Sequence, residues 1–202
     1  MGDAQIVYSG TTITLQKARQ GLNPAYEQIG NVNESNSGLI ETVNLYDIIK
    51  ISFTAFFSQA TCFQLIAWWA YAKQGQEFAF AFDSTRTAST TLDGAAAAAQ
   101  KTVPLTATTG ISAGDYLLIR SLDSDDQEII EVDSVSAGVS VTAVANLIYT
   151  YASGDTCRHE DYYPTVKKDK IMSRFRPEVT DPGRAVTNTH YYKHTFRFIE
   201  AK

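Results

Sequence analysis

The segment from Asp47 to Asp83 constrains the fold of this chain most strongly, because its pattern is that of a strand, a short helix and a second strand. Phe78, Phe80 and Phe82 alternate with small residues beyond Gly75, as in a half-buried strand. The preceding strand shows the same alternation, at Ile49, Ile51, Phe53, Ala55 and Phe57. The segment predicts a β scaffold and contains no pattern that indicates a catalytic site.

A helix is predicted between these strands, with Ser58 as its N-cap. One apolar stripe recurs at the i, i+3, i+4, i+7 spacing of a helix face, at Phe63, Ile66, Ala67 and Ala70. We expect this stripe to pack against the strand aromatics Phe53, Phe78, Phe80 and Phe82. Trp68 and Trp69 point about 100° apart on a helix. One should pack inward and the other face a neighbouring domain or subunit, although core packing of either is an equal alternative.

Charge is unevenly distributed along the 202 residues. The net charge of -5 and the pI near 5.2 argue against general binding of nucleic acid. Acidic residues crowd the middle of the chain at Asp123, Asp125, Asp126, Glu128, Glu131 and Asp133. Basic residues crowd its end at Lys167, Lys168, Lys170, Arg174, Arg176 and Arg184. Such polarity suits a solvated surface, and also a subunit that docks head-to-tail on its neighbour.

The two cysteines, Cys62 and Cys157, are too few for a closed structural zinc site. We expect two buried thiols in a reducing compartment, with a disulfide as the alternative. Neither a signal peptide nor a lipidation motif is recognisable at the start of the sequence. The longest apolar run, Leu65–Ala72, is too short to span a bilayer.

Several patterns in the sequence have residue types found in chemical sites. His159 and Asp161 would share one face of a strand, but His190 and His194 lie far along the sequence, so a polar strand edge is favoured. No cysteine-nucleophile motif surrounds either thiol. The acidic run from Asp123 lacks the sixth-position Gly and twelfth-position Glu of a calcium loop, and predicts a hairpin tip. No glycine-rich phosphate loop occurs. We predict no catalytic, cofactor-binding or metal-binding residues.

Composition divides the chain. Residues 6–43 are polar, with one short strand near Ile13, a turn at Gly21–Pro24 and a loop at Asn31–Gly38. The alanine run Ala95–Ala99 is too short for a helix without packing and predicts a linker or turn. Between residues 102 and 156, short strands separated by glycine turns are typical of a small β-barrel or sandwich. Strands are expected near Val103–Ala107, Tyr116–Ile119, Glu128–Val132 and Val139–Ala143.

The order of a Tyr46–Phe53 strand, a Phe63–Ala72 helix and a Gly75–Phe80 strand resembles the distal-tail and minor-tail proteins of long-tailed bacteriophages. In that family the helix leads into a G-x-x-F-x-F strand. A closing antiparallel strand, here Tyr192–Ile199, completes a split β-barrel. The region Thr102–Cys157 is similar to a β module that recurs in phage virion proteins. Its marks are the Gly110–Asp115 turn, the Glu128–Val132 strand and the Tyr149–Asp155 exit.

The predicted fold is therefore mainly β with one short helix. A split β-barrel or sandwich host domain (residues 1–92 and 157–202) carries a small barrel-like β module (residues 93–156) inserted in a loop.

The resemblance implies a structural virion protein without catalytic residues or cofactors. It would form a ring, commonly a hexamer, as a distal tail or baseplate hub subunit that joins the tail tube to the baseplate or tip. Its expected partners are itself, the tail tube protein and hub or tip proteins, with no membrane and no sequence-specific nucleic acid. Its expected location is the virion tail, after assembly in the host cytoplasm. The residues proposed for the subunit interface are Trp68, Trp69, Lys167, Lys168 and Arg174.

The sequence is also compatible with proteins of other classes. The chain could be another virion part, such as a tail-tube, neck or adaptor protein. A host-surface carbohydrate-binding module would need exposed aromatics, for which Tyr162–Tyr163 or Tyr149 and Tyr151 are the candidates. An enzyme would need a pocket in which acids or bases converge.

Overall fold

The computed structural model describes residues 3–15, 23–34, 40–180 and 191–201. Its residues are mainly in β-strands, and the described part contains one helix. The strands form two curled sheets, each shaped like half of a barrel. The predicted fold class, a β-rich barrel or sandwich with one short helix, is confirmed.

The chain divides into two compact units, which we call the host unit and the inserted unit. The host unit comprises Asp3–Phe80 and Thr165–Lys202, and the inserted unit comprises Ala81–Pro164. The sheet of the inserted unit extends past the predicted module of residues 93–156, because Ser89–Thr91 pairs with Thr156–Arg158. Whether residues 93–156 form a separate domain stays a prediction.

The larger sheet has eight strands in the order β2-β1-β5-β12-β14-β4-β3, with β13 also paired to β14. Its strands are β1 (Ala4–Tyr8), β2 (Thr11–Leu15), β3 (Asn23–Glu34), β4 (Ile40–Ser58), β5 (Phe78–Ala81), β12 (Tyr162–Lys168), β13 (Glu178–Thr180) and β14 (Tyr191–Glu200). The helix α1 (Gln59–Ala72) follows β4 directly. Ser58 caps it by accepting a hydrogen bond from the Thr61 N–H, as predicted.

The core of the host unit forms where β4 and β14 pair. The predicted closing strand is confirmed, and its register places Phe196 opposite Phe53. Phe53 stacks between two rings, with centroid distances of 4.6 Å to Phe80 and 5.0 Å to Phe196. Phe78 is also buried, as predicted, whereas Phe82 lies beyond the end of β5 and is half-buried. Stacked aromatic rings stabilise a fold by more than the burial of their apolar surface alone provides.

The helix turns a different face to this core from the one predicted. Its buried residues are Cys62, Leu65, Trp68 and Ala72. Phe63 and Ile66 are 63% and 51% exposed, and Ala67 and Ala70 are exposed too. The predicted core stripe was therefore wrong. Both stripes fit helical spacing, and the one that contains the largest side chain, Trp68, is buried.

The N-terminal region holds more β structure than the sequence indicated. The predicted strand near Ile13 is β2, and it forms a hairpin with β1 through Ser9 and Gly10, both at positive φ. This is the backbone that two-residue hairpin turns require. The predictions of a turn at Gly21–Pro24 and a loop at Asn31–Gly38 are wrong for residues 23–24 and 31–34, because these residues belong to β3 (Asn23–Glu34). Residues 21–22 and 35–38 of these predictions lie outside the described residues.

The smaller sheet has six strands in the order β6-β11-β8-β9-β10-β7. Its strands are β6 (Ser89–Thr91), β7 (Thr102–Pro104), β8 (Tyr116–Arg120), β9 (Gln127–Ser136), β10 (Ser140–Ala143) and β11 (Thr156–His159). Strands are thus present at all four predicted places, although β7 ends at Pro104 rather than at Ala107 and Val139 lies in the turn before β10.

Glycine and alanine shape the connections of the inserted unit. Gly110 and Gly138 adopt positive φ in turns, as their positions predicted. The alanine run forms a turn rather than a helix, also as predicted. Ala96 within it is buried in the core of the inserted unit, and its backbone pairs with that of Tyr151, another residue of that core. The acidic run from Asp123 forms the β8–β9 connection, as the hairpin-tip interpretation required.

Candidate functional site

The outward face of α1 is the most unusual surface of the host unit. The helix is 14 residues long and contains no charged side chain. Phe63, Ile66 and Ala70 lie on the side opposite the buried Leu65, since successive residues turn by about 100°. A surface helix normally carries charged residues on its outward side, whereas a helix that is apolar all round is usually covered on both sides.

Basic side chains border this face. Trp69 lies between the buried stripe and Ile66 and is half-buried, and the Lys168 ammonium lies 5.6 Å from the centroid of its ring. Lys73, which follows the last turn, is exposed. Arg174 is exposed too, and the ring of the adjacent Phe175 lies 6.5 Å from the Trp69 ring. We call Lys73, Lys168 and Arg174 the basic margin. Neither Lys73 nor Arg174 has an ion-pair partner among the described residues.

The five residues proposed for a subunit interface fall into different environments. Trp68 is fully buried and packs edge to face on Phe78 at 5.3 Å, so it cannot touch another subunit in this conformation. Lys167 forms an ion pair of 3.0 Å with Glu77 of its own unit. Trp69, Lys168 and Arg174 keep surface that a partner could reach. Sequence reasoning placed Phe63 and Ile66 in the core and so missed them as surface residues, although they are the large apolar side chains that the helix exposes.

His159 is the centre of a polar cluster in the inserted unit. Its ring is fully buried, and its Nδ1 accepts a hydrogen bond of 3.0 Å from the Ala88 N–H. Because Nδ1 accepts, the neutral ring carries its proton on Nε2, which donates to Asp115 Oδ2 at 3.2 Å. Asp115 also faces Arg86 at 3.6 Å. The nitrogen that could act as a base is therefore already occupied by a backbone amide.

Asp161 does not share a strand face with His159 as predicted, since β11 ends at His159 and Asp161 lies in the turn before β12. Burial raises the pKa of the Asp161 carboxyl, and the charge of Arg86 partly opposes this. Arg158 closes the same turn: its buried guanidinium donates to the carbonyls of His159, Glu160 and Tyr162 and lies 4.5 Å from the centroid of the Tyr163 ring. These contacts fix the β11–β12 turn.

The remaining residue types give little support to other chemistry. Cys62 and Cys157 are free and buried, and burial raises the pKa of both thiols. Tyr151 and Tyr163 are buried, so neither can stack on a sugar, whereas Tyr149 is exposed and Tyr162 is half-buried. His194 lies in the host unit, and His190 and Arg184 lie outside the described residues.

Within the described residues, no group of three or more His, Cys, Asp or Glu side chains is arranged to hold a metal ion. In the same part of the chain, no helix has the length and apolar character needed to cross a membrane. Compared with known proteins, the chain matches no protein-family model and no curated protein.

Proposed function

We propose that this chain is a non-enzymatic structural subunit of a bacteriophage tail, which assembles into a ring as a distal tail protein or baseplate hub component. The observation that carries the proposal is the charge-free helix α1, whose outward face exposes Phe63 and Ile66. Exposing such a face costs free energy that burial against another subunit recovers, at about 25 cal/mol per Å² of apolar surface. The resemblance of the strand–helix–strand segment to tail proteins is the reason for proposing a phage tail as the assembly.

The long hairpin of β3 and β4 supports the same proposal. β4 pairs with β14 from Ser58 to Lys50. Beyond Lys50, the described pairing of β4 is with β3 alone, as far as Ile40. A two-stranded ribbon is marginally stable in water by itself. Contact with neighbouring subunits or with other tail proteins would stabilise it.

The arrangement around His159 supports the non-enzymatic part of the proposal. Its Nδ1 is bound by the Ala88 N–H and its Nε2 by Asp115, so both nitrogens hold the inserted unit together. A general base needs a free nitrogen within reach of the substrate proton. Residues 3–80 and 165–202 would then form the assembling body, and residues 81–164 a module carried on it.

A pair of matched substitutions on α1 tests the proposal. Phe63→Asp places a charge in the centre of the outward face, whereas Gln64→Asp places the same charge on an exposed neighbour that points away from it. We expect wild type and Gln64→Asp to form oligomers, and Phe63→Asp to remain monomeric by light scattering. Equal oligomerisation of all three proteins would refute a role for this face. Turnover of a substrate that is lost in His159→Ala or Asp161→Ala would refute the non-enzymatic proposal.

A further inference from the structure

The outer face of the inserted unit's sheet offers a second exposed apolar surface. Tyr116 of β8 pairs with Glu131 of β9, and Val144 donates its N–H to the Glu131 carbonyl from the other side. Ile129 lies two residues from Glu131, hence on the same side of the strand. Tyr116, Ile129 and Val144 are exposed by 39%, 48% and 47%. We call these three residues with Glu131 the outer sheet patch.

The alternation of β9 explains why this surface is apolar without belonging to the core. Ile130 and Val132 point inward and join the core of the inserted unit, together with Leu117 and Val141. Ile129, Glu131 and Asp133 point outward and are exposed. Leu118, which pairs with Ile129 and faces the same side, is buried, so the exposed apolar part of this side is at Tyr116, Ile129 and Val144. Another protein surface could cover these side chains.

We propose that the outward face of α1 docks on the outer sheet patch of a second copy of this chain. The inference rests on the proposed ring, and it names the two surfaces that meet in it. A contact between two different surfaces is heterologous, and repetition of such a contact closes a ring if the rotation allows. Both surfaces occur once in each copy, so every subunit would use one of each.

Size and shape favour this pairing. Neighbouring strands lie about 4.8 Å apart, so the three strand positions of Tyr116, Glu131 and Val144 span about 10 Å. A helix with its side chains is about 10 Å wide. Phe63 and Ile66 can therefore lie along the patch, with Tyr116 and Val144 on either side. Packing a helix on a sheet face is the usual way to bury two such surfaces.

Charge favours a second copy over an unrelated apolar partner. The helix face is bordered by the basic margin of Lys73, Lys168 and Arg174. The outer sheet patch contains Glu131 and continues to Asp133, and neither carboxylate has a partner among the described residues. Opposite charges at the edge of a contact fix its orientation and speed its formation, although each pair contributes little affinity. In this contact, the basic margin of one copy would face Glu131 and Asp133 of the next copy, which is the pairing of acidic and basic regions expected from the sequence.

Cross-linking of mixed copies tests the contact. Phe63→Cys protein, labelled with nitrogen-15, is mixed with unlabelled Ile129→Cys protein and treated with a short flexible bis-maleimide. The control mixture replaces Ile129→Cys by Ala97→Cys, an exposed position in the alanine turn. Unmodified protein measures the background of cross-linking through the native cysteines, which should be low because Cys62 and Cys157 are buried.

We expect mixed dimers at least tenfold above the control mixture, identified by mass spectrometry. If unmodified protein forms rings but the mixed pair does not exceed the control, the inference is wrong and the proposed function stands. Phe63→Cys cross-linking mainly to itself would instead show helix packing on helix and overturn the inference. A chain that stays monomeric at every concentration would refute both the inference and the proposed self-assembly.

Discussion

His159 and Ala88 hold each other by two hydrogen bonds. The Ala88 N–H donates to His159 Nδ1 at 3.0 Å, and the His159 N–H donates to the Ala88 carbonyl at 3.0 Å. The pair ties the chain entering the inserted unit to β11, the strand that leads out of its sheet. His159, a residue type that often acts as a general base, thus stabilises the inserted unit through its hydrogen bonds.

Replacing His159 by Ala should destabilise the inserted unit by about 2–4 kcal/mol. The substitution leaves the Ala88 N–H and Asp115 without their partner and opens a cavity, both of which are costly in a buried site. Asp115→Asn should cost less, because its amide oxygen can still accept the Nε2 proton. Denaturant unfolding followed by amide exchange in residues 81–164 measures the effect. A loss below about 0.5 kcal/mol for His159→Ala would contradict this role.

Two phenylalanines of the host unit should respond in opposite ways to truncation. Phe80 is fully buried and stacks on Phe53 at 4.6 Å, so Phe80→Ala should cost about 3–5 kcal/mol of stability. Phe63 is 63% exposed, so Phe63→Ala should cost less than about 0.5 kcal/mol in the monomer. Denaturant unfolding at a concentration where the protein is monomeric measures both values. Equal costs would contradict the observed face of α1.

Host-unit stability should fall in mild acid because of His194. Its ring packs against Phe175 at 4.8 Å and Phe196 at 5.1 Å, and burial lowers its pKa from 6.5, although the Arg176 backbone and Glu178 oppose this shift. The unfolded chain then binds the proton more readily than the folded chain. Above pH 6.5 the ring is neutral in both states, so His194 does not lower the free energy of unfolding. As the pH falls from 6.5 through the lowered pKa, the unfolded chain takes up the proton first and stability is lost.

The comparison variant for this prediction is His194→Phe, which keeps an aromatic ring without a titrating group. Between pH 7 and pH 5, wild type should lose more stability than His194→Phe in urea unfolding. Parallel pH profiles for the two proteins would show that His194 does not contribute.

The two thiols should not react in the folded protein. Burial raises the pKa of Cys157 to about 12, and the neighbouring Arg158 charge opposes this only in part. At pH 8 its thiolate fraction is then about one in ten thousand, and the thiolate is the reactive form. Cys62 is also buried with a raised pKa. Native protein should show no fast titration with a chromogenic disulfide reagent, and unfolded protein should show two thiols. Rapid native labelling would contradict the observed burial.

Strand positions followed from the sequence where large apolar side chains alternate along a buried face, whereas β1 was missed although Ala4 and Ile6 are buried. The alternation of Phe53, Phe78 and Phe80 is a direct result of the two-residue period of a strand, and the structure buries all three. β3 was missed, because its polar Asn31–Glu34 end shows no alternation and pairs through its backbone. Backbone pairing by itself leaves no pattern in the side chains.

The face of α1 could not be read from the sequence for a different reason. Without charged residues, the helix has no side marked for solvent, and both the Leu65 stripe and the Ile66 stripe satisfy helical spacing. The volume of Trp68 and its fit to Phe78 decide the outcome, and both depend on tertiary packing. The same lack of charge that hides the core face from sequence analysis is the basis for proposing the outward face as a contact surface.

Electron microscopy of the unmodified protein in negative stain, over a range of concentrations, tests the central claim most directly. We predict closed rings with a central channel, each built from several copies of the 22.2 kDa chain. The Phe63→Asp variant should give only single particles of monomer size. Monomers of the unmodified protein at every concentration, or rings that persist unchanged in Phe63→Asp, would contradict the account.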